Sequence, residues 1–286
     1  MIRSLLSREN TQRLAFGLLT LAALGTVVPI VLIVGYIARQ GGPALSWGFI
    51  SGLPTDGMRA GGIWPAIVGT LYLTLGTAVV AVPVGVAAAI YLAEYARDST
   101  LTRLTRLAII NLAGIPSVVY GLFGLGLFVL FLRLGTSIVA GSLTLALMTL
   151  PVIISTTEVA LRAVPQSFRL VSLSLGGTRW QTIWRIVLPQ ALPGVLTGVI
   201  LGLERAAGET APILFTAAAF FLPRLPNSIF EPTMALPYHL FVISTQVPGM
   251  PVQIQYGTAL VLMVFVLSMN LIATIIRSRA RARRQW

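Results

Sequence analysis

Six stretches of this sequence stay apolar long enough to cross a bilayer: Leu14–Ala38, Trp64–Ala93, Leu107–Leu132, Thr136–Val159, Gly194–Leu222 and Tyr256–Ile276. About 20 such residues in a helix match the hydrocarbon thickness of a membrane. Hydrocarbon offers no partner to a backbone N–H or C=O, and runs of this length satisfy those groups internally by becoming helices. The expected fold class is an all-α, polytopic membrane protein with six transmembrane helices. The first run is too long for the core of a signal peptide and is expected to remain as a helix. Pro29, Pro83, Pro116, Pro151 and Pro212 each interrupt a span, which marks kinks backed by protein or a water-lined path. With no internal repeat or soluble domain, the chain reads as one membrane unit. Residues 1–62 form an N-terminal segment, first helix and outer loop. Residues 63–276 form a core of five helices with a polar stretch at 162–193, and residues 277–286 form a basic tail.

Charge orients the spans. All 20 cationic residues are arginine. With both termini in the cytoplasm, fifteen arginines fall on the cytoplasmic side and four, Arg39, Arg59, Arg133 and Arg224, on the outer side. That asymmetry fits the positive-inside rule. The net charge of +12 follows the ends of the apolar runs, so it speaks for membrane orientation and not for nucleic acid. The five tail arginines read as a stop-transfer cluster, with contact to anionic membrane lipid as the alternative. The absence of lysine excludes a phosphate-binding loop of the Walker A type and a Schiff-base lysine. Zero cysteines and one histidine leave no His/Cys metal site. Neither catalytic residues nor a metal are expected.

The least membrane-like stretch lies between Arg162 and Pro193. Pro165 suits a first helical turn, and Phe168, Val171 and Leu175 follow at helical spacing until Gly176-Gly177 breaks the run. Thr178 with Gln181 predicts a capping box, after which Trp180, Ile183, Trp184 and Val187 share one apolar face until Leu188-Pro189 ends the segment. The predicted shape is helix, glycine corner, helix: a docking element outside the bilayer.

The predicted fifth span carries the costliest residues, Glu204, Arg205 and Glu209. Arg205 lies about 20 Å along a helix counted from Leu192, near mid-bilayer depth. A charge there costs about 2.5–3.5 kcal/mol on the most lenient insertion scale. Arg205 and Glu209, at i and i+4, can pair along one face, while Glu204 points about 100° away, toward a partner subunit in one reading. Two readings of the pair stay open from chemistry alone: an ion pair that orders the bundle, or a gate whose guanidinium contacts a passing oxyanion. Ser117 and Tyr120, beside Pro116, offer hydroxyls that either line a path or are bonded internally. Glu158 and Arg162 form a second i, i+4 pair, read as a stabiliser of the helix end. His239 reads as surface or packing.

Three segments carry a family resemblance. Gly176 followed ten residues later by Ile186-Val187-Leu188-Pro189 resembles the EAA loop of bacterial ABC importer permeases. The family's acidic residue would fall on Leu170 and is absent here. The segments GLERAAGETAPILFTA from Gly202 and AGIPSVVYGLFGLGLF from Ala113 are similar to runs of the phosphate-specific (Pst) permeases, with Gly208 to Pro212 closer to the A-type than to the C-type subunit. The resemblance implies a type I importer permease of MetI-like architecture. It also implies a homologous C-type permease partner, two copies of a cytoplasmic ATPase, an extracytoplasmic phosphate-binding protein, and a bacterial inner-membrane location. ATP and Mg would belong to the partner ATPase, with no cofactor bound by this chain. Arg205 and Glu209 would serve the passage of inorganic phosphate, with Ser117 and Tyr120 beside them. Ser172, Gly176, Gly177, Thr178, Arg179, Trp180, Ile186, Leu188 and Pro189 would couple to the ATPase. The alternatives are a permease for another oxyanion (molybdate, tungstate or sulfate) and a membrane scaffold that senses phosphate without conducting it.

Overall fold

The computed structural model describes the backbone of residues 8–282 and the side chains of residues 11–279. Arg3, Arg283 and Arg284, counted above in the positive-inside balance, lie outside the described residues. Twelve α-helices follow one another among the described residues: α1 Arg8–Gly41, α2 Trp47–Ser51, α3 Trp64–Ile90, α4 Thr100–Ala113, α5 Ser117–Gly124, α6 Ile138–Arg162, α7 Gln166–Ser174, α8 Arg179–Thr182, α9 Leu188–Gly208, α10 Ala211–Thr216, α11 Leu236–Thr245 and α12 Val252–Ala282. A two-residue hairpin, β1 Pro54–Thr55 with β2 Ala60–Gly61, sits in the loop after α2.

Five helical runs are long and apolar enough to span: Thr11–Ala44, Trp64–Tyr95, Ile138–Arg162, Arg179–Gly208 and Val252–Arg279. The bent pair Thr100–Ala113 and Ser117–Phe131 makes a sixth. α6 is the hub, with α3 and α9 on either side of it. Its contacts are close because small residues face it. A Cβ at Gly194, Gly198 or Gly202 of α9 would press on Ala160, Thr156 or Ile153 of α6. This ladder of glycines four apart lets the two backbones approach without a hydrophobic driving force, which lipid does not supply. α1 packs mainly on α12 and exposes its apolar side chains along most of its length.

Four boundaries differ from expectation, each at a proline. The third span is not one helix: α4 and α5 meet at 102° across Gly114-Ile115-Pro116. Proline there has no N–H to give and disfavours helical geometry at Ile115. The fifth span starts earlier and ends sooner than Gly194–Leu222. It runs unbroken from Arg179, through a widened π-turn at Ile183–Val187, to Gly208. Leu188-Pro189 therefore does not end the segment. The widened turn loosens the bonding pattern just ahead of a residue without an N–H. At the other end, Glu209 is extended (φ −78°, ψ 136°) and Pro212 starts the short α10. Finally, the segment Pro237–Gln246, which in the sequence reads as one lying along the membrane surface, does not lie there. α11 is buried against the bundle through Leu236, Pro237, Tyr238, His239, Val242 and Ile243, and the Leu236 N–H donates to Thr70 Oγ1 at 2.8 Å. His239 is accordingly packed, only 2% exposed, and not a surface residue.

Candidate functional site

Apart from the Arg224–Glu231 pair in the loop between α10 and α11, charged side chains come together inside the bundle and at its end. Inside, Arg205 sits in the last turn of α9 and Glu209 caps that helix. Arg205 Nε lies 3.5 Å from Glu209 Oε1, a loose pair. The Arg205 side chain is 35% exposed and Glu209 19%. Among the described residues the remaining guanidinium N–H groups make no hydrogen bond, so donors are left over where the helix breaks. Glu204 lies one residue before, with Oε1 removed from solvent and without a hydrogen-bond partner.

The broken third span crosses beside this break. A Cβ at Gly121 of α5 would touch the Ala211 carbonyl and Pro212, so α5 and α10 lie backbone to backbone. Tyr120 is buried and its hydroxyl donates to the Leu112 carbonyl at 2.8 Å. The same carbonyl also accepts from the Ile115 N–H at 3.2 Å, so the hydroxyl adds a second bond where α4 ends before Pro116. Tyr120 is thus bonded internally, and Ser117, half-buried, opens α5. Neither hydroxyl bonds Arg205 or Glu209, so the four residues named from the sequence do not form one hydrogen-bonded cluster.

At the bundle end, the predicted corner is present. Gly176 takes φ +82°, a conformation that suits glycine. The capping box forms as expected: Thr178 Oγ1 accepts from Gln181 N–H (3.2 Å), and Gln181 Oε1 accepts from Thr178 N–H (3.0 Å). The Ser172 and Thr182 hydroxyls, 2.8 Å apart, tie α7 to α8. Arg179, Leu175, Trp180 and Trp184 face outward, the two indoles tilted against each other at 5.2 Å. Ile183 and Val187 of the same predicted face are buried, and Ile186, Leu188 and Pro189 are half-buried.

Two contacts here are absent from the pairings expected from the sequence. Arg169 of α7 forms a two-pronged pair with Glu94, in the π-turn Tyr91–Tyr95 that ends α3, at 2.6 and 3.2 Å. It also donates to the carbonyls of Leu161 (2.9 Å) and Val164 (2.7 Å). One guanidinium fork thereby fastens α7 to the ends of α3 and α6. Leu170, where the resembling family has its acidic residue, is 60% exposed and adjacent to this clasp. The second is Arg106, which joins the expected Glu158–Arg162 pair. Both arginines reach Glu158 Oε1 at 2.9 Å. Opposite charges at the same predicted membrane face were the available signal in both cases, but spacing along the chain could not pair residues 75 and 52 positions apart.

Residues 81–282 match the family described as binding-protein-dependent transport system inner membrane component. The chain belongs to that family. This family member is 34% identical over 282 residues to the probable ABC transporter permease protein YqgI of Bacillus subtilis, across 94% of this chain and 95% of that one. It is 35% identical over 267 residues to the phosphate transport system permease protein PstA 1 of Mycobacterium tuberculosis, across 91% of this chain and 85% of that one. Among solved structures it resembles a chain of the MetNI methionine ABC transporter in inward facing conformations. The TM-score is 0.59 at 17% identity, over 76% of this chain and 94% of that chain. The fold is the MetI-like importer permease fold expected from the sequence, an all-α multi-pass membrane protein.

Proposed function

We propose that this chain is the A-type permease subunit of an ABC importer for inorganic phosphate. Family membership makes it the membrane component of a binding-protein-dependent transport system. The phosphate assignment rests on its likeness to phosphate permeases over most of its length. The observation that carries the mechanism is the loose Arg205–Glu209 pair at the break between α9 and α10. A guanidinium with unspent donors suits a tetrahedral oxyanion, and a carboxylate 3.5 Å away competes with that anion and keeps it from lodging. Ser117 and Tyr120 stand beside the adjoining break at Pro116 in this reading.

A second, homologous permease completes the path, and an extracytoplasmic binding protein delivers the anion. The loop at 162–193 docks on two cytoplasmic ATPase subunits through the outward-facing Leu175, Trp180 and Trp184. ATP and Mg reside on those subunits. Both termini are cytoplasmic.

The test is labelled phosphate uptake in vesicles containing the assembled complex, wild type against Arg205→Gln at equal abundance. Uptake should fall at least about 100-fold, the scale of losing a principal charge-stabilising donor, while assembly and ATP hydrolysis persist. Unchanged uptake would remove Arg205 from the path. Competition by molybdate, tungstate or sulfate in the same vesicles reports whether another oxyanion is preferred.

A further inference from the structure

Between α4 and α6, at the same end of the bundle as α7, two guanidiniums share one carboxylate. Arg106 and Arg162 both direct Nε to Glu158 Oε1 at 2.9 Å, and both direct Nη2 to the Leu92 carbonyl, at 2.9 and 3.2 Å. The Glu158 side chain is 12% exposed and that of Arg162 52%. A pair that only stabilises a helix end needs one cation for one anion. Here a single positive charge is left over, beside an open cavity of about 380 Å³ bounded by Arg106, Ile109, Ser155, Val159 and Arg162. Ile109 also lines a second cavity, of about 600 Å³, which runs inside the 102° bend of the third span between Leu112, Phe123, Leu147 and Ile154. The second cavity is lined by apolar side chains apart from Tyr120, whose hydroxyl is spent on the Leu112 carbonyl. Ile109 borders both cavities, so a charged head and a greasy length adjoin across one side chain as a single candidate groove.

We propose that this groove is a binding site for an anionic phospholipid, with the phosphodiester at Arg106 and Arg162 and one acyl chain laid past Ile109 into the bend. Three observations favour a lipid over a free anion. A phosphodiester carries one negative charge, which matches the one unpaired positive charge of the cluster. The walls beyond the arginines offer a chain of CH₂ groups apolar contact and offer a hydrated anion nothing. The cluster stands at the end of the 25-residue α6, the depth at which headgroups meet a spanning helix. Basic pockets between membrane helices are a recognised form of lipid site.

The experiment is native mass spectrometry of the assembled complex released from nanodiscs of phosphatidylcholine containing a minority of phosphatidylglycerol. Wild type should retain phosphatidylglycerol preferentially. Arg106→Gln and Arg162→Gln should each lower that preference about fivefold, the scale of one arginine near a membrane surface. Ile109→Trp fills the groove without touching the charges and should also displace the lipid, which decides the matter if the arginine variants do not assemble. Glu158→Gln removes the competing charge and should strengthen retention. Equal retention by wild type, the arginine variants and Ile109→Trp would overturn the proposal. So would displacement of the lipid by inorganic phosphate, which would make this a site for the free anion, or disulfide capture of the second permease by a cysteine at Ile109, which would mean that a protein covers the groove.

Discussion

At the residue scale, the decisive question is which charges have partners. Glu204 Oε1 is shielded and has no hydrogen-bond partner among the described residues, whereas Glu158 is bonded twice. Replacing Glu158 by Ala would leave two guanidiniums facing each other. That should destabilise the chain by roughly 2–3 kcal/mol, below the range for fully buried pairs because Arg162 is half in solvent. Glu204→Gln should leave stability unchanged or raise it, since an unpaired acceptor gains nothing from its charge. Thermal unfolding of both variants in one detergent distinguishes the two environments. His239 provides a pH test. Burial pushes its imidazole from 6.5 down to about 4, so the folded form stays neutral while the unfolded form gains a proton first. Stability is then complete above pH 6.5 and declines as pH falls toward 4, and His239→Gln should flatten that decline.

At the element scale, the α6–α9 contact depends on Gly194, Gly198 and Gly202, and Gly198 faces the Thr156 side chain most closely. Gly198→Leu should force these helices apart and cost at least about 1–3 kcal/mol, read as lost expression or a lower unfolding temperature. Gly176→Ala should cost about 1 kcal/mol through its positive φ alone and leave the spans untouched. The outlines of these elements were readable beforehand because they depend on local chemistry. Apolar length marked all six spans, the bent third one included, and Thr178 with Gln181 marked the start of α8. Positions where two local signals compete were not readable. Pro189 looks like a stop, yet a widened turn absorbs it. Pro116 looks like a kink, yet with Gly114 beside it the chain turns by 102°. Contacts between elements, such as Arg169 with Glu94, had no signal in spacing because they depend on how three helix ends meet. The pair at the candidate site, Arg205 and Glu209, was visible from its spacing of four residues, although Glu209 is the extended residue that ends α9.

At the scale of the whole molecule, the proposed orientation can be read directly, since the chain has no cysteine and single ones can be introduced. Ser4→Cys and Gln285→Cys should be labelled by an impermeant maleimide only from the cytoplasmic side, and Asn227→Cys only from the outside. The opposite pattern would invert the topology. The unbroken run from Arg179 to Gly208 also has a mechanical meaning. It carries Trp180 at one end and Arg205 near the other, and its glycine contact with α6 is centred on Gly198. At about 1.5 Å per residue, the arm from Trp180 to Gly198 is about 27 Å and that from Gly198 to Arg205 about 10 Å. The glycine contact is therefore a fulcrum set off centre. For a run moving as one piece, a displacement of about 3 Å at the indoles would arrive at the guanidinium as about 1 Å. Glu209 is attached to the end of the same run, so such a stroke carries the loose Arg205–Glu209 pair as a unit past α5, which lies against the break.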